Sequence, residues 1–435
     1  MALQSINIGS AANDGTGSTL RAAFDICNDN FSELYGGTTS ALGFKSEGTN
    51  FTGSLLVGHS TTGTISSATY NTALGIGALD ALTTADNSVA IGYNAGTNIT
   101  TGSSNILIGA YTGDALVGGG SNVAIGYAAL TTEDGHGANV AVGFQALYAQ
   151  NAGADAYNVA VGYNAGVSVS TGTQNTIVGG LAGDALTTGG QNVALGYEAL
   201  STEDTGYFNT AIGHRALKNQ DAGNAYNTAV GASAGENVST GVGNTLVGGL
   251  AGDALTTGGY NTVLGYYALS AEDAHGYNVA IGYSALKVQD AGANAYNVAV
   301  GFEAGKAVST GNSNTIIGGL AGDALTTGSN NVAIGYSALS TEDAHGRNVA
   351  IGRHALQAQD AGVDAYNVAV GYNTGVSVST GAYNTLIGGL AGDALTTGSY
   401  NVALGYAALS TEDGNSANVA IGKSALQNLN AGADA

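Results

Sequence analysis

Residues 158–226 read NVAVGYNAGVSVSTGTQ (158–174), NTIVGGLAGDALTTGGQ (175–191), NVALGYEALSTEDTGYF (192–208) and NTAIGHRALKNQDAGNAY (209–226), after which the pattern starts again. Each line opens on Asn, runs through three small or aliphatic residues and reaches Gly at its fifth position. Such openings recur from Ser54, Asn71 and Ser88 to Asn418, 22 in all and mostly 17 residues apart. The longer steps, 19 residues after Asn139, Asn278 and Asn348 and 18 after Asn209, return every fourth line, so the full period is four lines, 69 or 70 residues. A unit this short cannot bury a core alone and must stack on its neighbours.

Within a line the fourth position is Leu, Ile or Val, the second is nearly always Val or Thr, and the third is usually Ala. Alternation at period two over five residues is the mark of a β-strand with one bulky and one small face. The bulky face is expected to line the interior, leaving the third position outside. The Gly at position five fits a backbone that takes positive φ or runs close against a neighbour. Each coil is expected to hold two short strands and two turns. At roughly 4.8 Å per coil the stack would extend on the order of 100 Å, with the Asn column forming a ladder along it. The fold class expected is therefore an all-β parallel β-solenoid, or β-roll, of about 22 coils over residues 54–435.

Composition agrees with a repeat rod. Of 435 residues 72 are Gly, none is Pro or Trp, and only 9% are charged. The net charge of −22 and the scattering of the basic residues, apart from Arg215 with Lys218 and Arg347 with Arg353, argue against a nucleic-acid partner. Cys27 is the only cysteine, so no intrachain disulfide can form. No secretion signal or apolar run long enough to span a membrane is readable, and no membrane insertion is expected.

Ahead of the repeats, STLRAAFDICNDNFSELYGG (18–37) carries an N-cap Ser18 and a Gly36-Gly37 stop around one expected helix. Its apolar residues Leu20, Phe24, Cys27, Phe31 and Leu34 follow 4, 3, 4, 3 spacing, a coiled-coil seam about two heptads long. A helix that short is marginal alone, so partner helices or a docking surface are expected. Residues 1–37 thus form an N-terminal helical attachment module, and residues 38–53 a linker or irregular cap. The last line stops at AGADA with no charged cap, which suggests a partner over that end.

With the third position outside, the aliphatics that interrupt its Ala column once per four lines, Leu107, Ile177, Leu246, Ile316 and Leu386, read as periodic plugs in an interface between sister chains. This face and the seam both predict a homo-oligomer.

Runs such as NVAIGYSAL (331–339) and NVAIGRHAL (348–356) resemble the head repeats of trimeric autotransporter adhesins, which implies a left-handed parallel β-roll assembled as a trimer. The segment SINIGSAANDGTGSTLRAAFDICNDNFSELYGG (5–37) is similar to the leading segment of many tail-fibre and baseplate-associated proteins of tailed bacteriophages, cyanophages among them. The autotransporter units are typically shorter than these, and that family's signal and membrane anchor are not readable here. Together the resemblances imply a virion fibre docked by its N-terminus to a tail or baseplate protein, with a distal protein or a host surface receptor at its far end. A bacterial surface adhesin and a carbohydrate-active fibre are the alternatives.

The third lines carry acidic pairs, Glu133-Asp134, Glu203-Asp204, Glu272-Asp273, Glu342-Asp343 and Glu412-Asp413, with His136, His275 and His345 close behind three of them. Carboxylates with imidazole can hold a divalent ion, but two of the five lack the His, and solvated acidic loops that keep a rod soluble are the expected reading. GGLAGDAL (179–186) approaches a calcium-binding nonapeptide but has Ala182 where the third Gly belongs, so Asp184 is expected to be a turn residue. No catalytic arrangement stands out; neither an enzyme, a cofactor nor a bound metal is expected. Receptor contact, if any, would fall on the longer fourth-line loops ending in Tyr157, Tyr226, Tyr296 and Tyr366, although these rings are expected rather to pack over the next coil.

Overall fold

The computed structural model describes residues 45–48, 51–58, 66–411 and 413–429. The chain divides into two compact units, residues 1–181 and 182–435, each a stack of parallel coils. In the first, strands β1 (Lys45–Gly48) and β2 (Phe51–Val57) pair antiparallel, placing a hairpin within and just beyond the stretch 38–53. Strand β2 then pairs parallel with β3 (Thr72–Leu74), and six more coil strands follow, ending at Thr176–Val178. The second unit holds 14 coil strands, from Val193–Leu195 to Val419–Ile421.

Every coil strand is three residues long and occupies positions two to four of its line. Registry is strict. Ala90 sits beside Leu107 in the first unit, and Ala229 beside Leu246 in the second. Each coil has one strand rather than the two expected. The remaining residues form turns whose amides bond directly to the neighbouring coil, as from Leu79 N–H to the Ala95 carbonyl at 3.1 Å.

The fifth-position glycines account for this tight stacking. Gly126 has φ of +134° and Gly282 of +132°, where L side chains rarely sit. A Cβ on Gly126 would lie 2.2 Å from the Gly143 carbonyl oxygen, and one on Gly282 would lie 2.2 Å from that of Gly301. Positive φ and close approach therefore act together at the same residue.

The core reverses the facing expected from the alternation. The third position is the buried one, whereas the second and fourth are half-buried or exposed. Opposite the strand, Leu200 and Leu217 at position nine also point inward, and both adopt positive φ. Leu107, Ile177, Leu246, Ile316 and Leu386 at position three each have Gly at position nine, and Leu246 packs where a Cβ on Gly252 would come within 2.9 Å of it. The coil is too narrow for two large side chains at the same level, so Leu246 has Gly at position nine both in its own coil and in the one before, where a Cβ on Gly235 would lie 2.6 Å from it, whereas Leu200 and Leu217 at position nine face Ala194 and Ala211.

The Asn column at position one is fully buried over nearly all its length and forms a ladder of a particular kind. Each Oδ1 accepts the backbone N–H of the next Asn, as from Asn244 to Asn227 at 2.8 Å. Each Nδ2 generally donates to a carbonyl 14 residues ahead, as from Asn227 to Gly241 at 2.7 Å. One side chain thus satisfies two buried backbone groups, the carbonyl near the end of its own line and the N–H that opens the next. The longer fourth line disturbs this: Nδ2 of Asn139, Asn209 and Asn348 has no partner, and Gln150, Gln220, Gln289 and Gln359 enter the interior beside the Asn that follows.

Candidate functional site

The seam residues Leu20, Phe24, Cys27, Phe31 and Leu34 lie outside the described residues. Leu107, Ile177, Leu246, Ile316 and Leu386 are described, and all five have zero exposure within their own chain. Side chains already enclosed by their own coils cannot serve as plugs for a sister chain. They are core residues, and the reading of them as interface plugs is corrected.

The opposite face of the same strands is apolar in each unit. In the first, Leu74 (51% exposed) and Ile106 stand at strand positions, flanked at position six by Tyr93, Tyr127, Phe144 and Tyr163. The rings form a file: Tyr127 stacks on Phe144 and Phe144 on Tyr163, each at 5.3 Å and 13° between planes. In the second unit Leu195, Leu264, Ile317 and Leu404 are exposed, and Tyr283 stacks on Phe302 at 5.4 Å. A sheet face of Val, Thr, Leu and Ile edged by stacked rings exceeds the scattered apolar exposure normal for a soluble surface. The sequence signal missed here was the aromatic recurring directly after the fifth-position Gly.

A second aromatic file runs along the residue preceding each Asn. Tyr260, Tyr277 and Tyr296 stack at 5.2 Å per step, and Tyr366, Tyr383 and Tyr400 at 5.3 and 5.0 Å. These residues all hold positive φ, which turns each ring outward against the equivalent ring on the next coil. The fourth-line tyrosines Tyr226, Tyr296 and Tyr366 pack over neighbouring coils in this way while remaining exposed. The paired basic residues also have partners. Arg215 and Lys218 both reach Glu198, at 3.0 and 2.6 Å, and Arg347 reaches Asp364 at 3.1 Å and the Tyr366 hydroxyl.

The third-line acidic pairs are divided rather than uniformly solvated. Asp134, Asp204, Asp273 and Asp343 are exposed, but Glu133, Glu203, Glu272 and Glu342 are fully buried. The cause is their place at position twelve, an inward column filled by Val169 in the first line, Leu186 in the second and Gln220 in the fourth. In each turn Glu Oε1 accepts the backbone N–H three residues on, from His136 at 3.1 Å, Gly206 at 2.7 Å, His275 at 3.0 Å and His345 at 3.1 Å. Burial pushes the Glu133 and Glu203 carboxyls above the ordinary range and Glu342 up to about 7, with these amides pulling part of the way back.

Four groups of side chains bring candidate ligand atoms within 4.8 Å of one another: Glu133, Asp134 and His136; Glu203, Asp204 and Asp221; Glu272, Asp273, His275 and Asp290; and Glu342, Asp343 and His345. Asp184 belongs to none of these groups. It sits half-buried in a turn with Oδ1 unpartnered, its carboxyl raised by burial. Among the described residues no helix is long and apolar enough to cross a membrane. No protein-family model matches the chain, and neither does any curated protein.

Proposed function

We propose that the chain is a structural virion fibre: a homotrimer whose N-terminal module attaches to a tail or baseplate protein and whose β-solenoid shaft holds the far end away from the particle. The observation that carries the assembly is the apolar face at strand positions two and four, with its runs of stacked aromatic rings, found in each unit. A second copy of this chain is the occupant that best fits it. The face repeats at the coil spacing, and only another coil stack with the same spacing presents matching ridges along its length. The virion assignment rests on the resemblance of residues 5–37 to phage fibre leaders, and the mechanism is mechanical: attachment, reach and presentation.

Sedimentation equilibrium of the untagged chain is expected to give three times the 42.5 kDa chain mass. Labelling of purified particles with an antibody to the shaft is expected to mark an appendage. A monomer in solution would overturn the assembly, and label absent from particles would overturn the location.

A further inference from the structure

We propose that the third-line turns at Glu133, Glu272 and Glu342 each bind one divalent cation of the zinc, cobalt and nickel class, held by the buried glutamate, the aspartate after it and the histidine three residues after the glutamate.

Geometry supplies the first argument. His136 Nδ1 lies 3.7 Å from Glu133 Oε1, His275 Nδ1 3.3 Å from Glu272 Oε1, and His345 Nδ1 3.7 Å from Glu342 Oε1, yet each of these nitrogens is buried without a hydrogen-bond partner. A charge-assisted hydrogen bond would draw such a pair to about 2.8 Å. Two ligands of one tetrahedral ion, with bonds of about 2.1 Å, stand about 3.4 Å apart. The observed separations are those of co-ligands.

The second argument is an orphaned oxygen. Glu133, Glu272 and Glu342 have zero exposure, and Oε2 of each has no hydrogen-bond partner. The fourth group is an internal comparison. Where Gly206 stands in place of the histidine, Glu203 has both oxygens engaged, Oε1 by the Gly206 N–H at 2.7 Å and Oε2 by the Ala222 N–H at 3.3 Å. The matching amides of Ala152 and Ala361 still act on the Glu133 and Glu342 carboxyls, but where the imidazole stands they do not close a full hydrogen bond to Oε2.

Ligand chemistry selects the ion. One imidazole and two carboxylates form a borderline donor set suited to zinc, cobalt or nickel, whereas calcium takes about six to eight oxygens. The exposed aspartate leaves each site open to solvent on one side. At the Glu272 site, Asp290 from the following coil brings a fourth side chain within range, so the ion would tie two coils together and this site should bind most tightly.

The test is zinc titration calorimetry on the untagged full chain, stripped with EDTA and exchanged into metal-free buffer at neutral pH. Three zinc ions per chain are expected. Each of His136→Asn, His275→Asn and His345→Asn should remove one, and the triple variant all three. The last repeat already carries Asn415 at the matching position, so the fold accepts this side chain there. Circular dichroism in EDTA should show wild type and variants equally folded, and zinc should raise the melting temperature of the wild type but not of the triple variant. Cobalt substitution should give visible absorption of a four-coordinate centre, lost in the triple variant. No zinc uptake by the wild type, or uptake that the triple variant retains, would overturn the proposal.

Discussion

Asn244 Oδ1 accepts the backbone N–H of Asn261 at 3.0 Å, and the same side chain donates through Nδ2 to the Gly258 carbonyl at 2.9 Å. A single amide thus pairs two buried backbone groups, one late in its own line and one at the start of the next. Asn244→Ala should orphan both, at about 1–3 kcal/mol each, and make the Asn261 amide exchange faster with solvent. Asn244→Ser should cost less, because Ser88 shows a hydroxyl in this column still accepting the next N–H, from Asn105 at 3.2 Å. Denaturant midpoints and hydrogen exchange on the two variants give the order; equal losses would contradict the two-bond account.

The fifth-position glycines predict a sharp contrast between two alanine substitutions. Gly282→Ala places a methyl 2.2 Å from the Gly301 carbonyl oxygen at φ +132°, and it should prevent that coil from seating on its neighbour. Gly292→Ala, at φ +66° with nothing within 4 Å, should cost only about 1 kcal/mol for its left-handed backbone. Comparable melting temperatures for the two proteins would mean that coil contact does not fix the glycine.

The two faces of one strand should separate stability from assembly. Ile316→Ala opens a cavity in the core and is expected to destabilise the shaft by about 2–5 kcal/mol. Leu264→Ser with Tyr283→Ser, on the exposed face, should leave the melting of an isolated chain nearly unchanged and dissociate the oligomer. Velocity sedimentation alongside thermal melts distinguishes them. An exposed-face variant that stays fully assembled would remove that face from the interface.

Acidity should stabilise the metal-free chain. Burial raises the Glu203 carboxyl and takes Glu342 to about 7, so the folded state holds protons that an unfolded glutamate, at its ordinary 4.5, would release. Their contribution is present below about pH 4.5 and is lost as pH rises through each raised folded value, which for Glu342 is about 7. In EDTA, Glu203→Gln should gain on the wild type as pH goes from 5 to 8, since a neutral amide can still accept the Gly206 N–H. Parallel melting curves for the two proteins across that range would argue that Glu203 carries no excess proton.

The solenoid, the strand positions and the ladder column were legible because each is a matter of period, and a period survives in a single sequence. Which face lies inside was not, since alternation is symmetric to exchange of faces and a shift of one residue reverses every side chain. The deciding signal was present but lay across the coils: Ile177 is flanked by Gly at position nine in its own coil, Gly183, and in the coil before, Gly166, whereas Ala194 goes with Leu200, a volume compensation that only inward residues need. The burial of Glu203 was hidden for a similar reason. Read beside Asp204 it looks like half of an acidic loop; read beside Leu255 and Gln220 in its own column it is an interior position. The hairpin of β1 and β2 left no periodic trace at all.

The position-twelve column has one further consequence. Within the second unit it runs Glu203, Gln220, Val238, Leu255, Glu272, an ordered set of four unlike side chains. Were every coil alike, a growing stack could skip a coil and still close, because each surface would accept any other. Here a coil that docks one place out of turn sets a carboxylate or a Gln amide against the wrong neighbour in its column. The column works as a vernier that lets the nascent chain count, and it enlarges the smallest tolerated slip from one turn to a whole four-turn block.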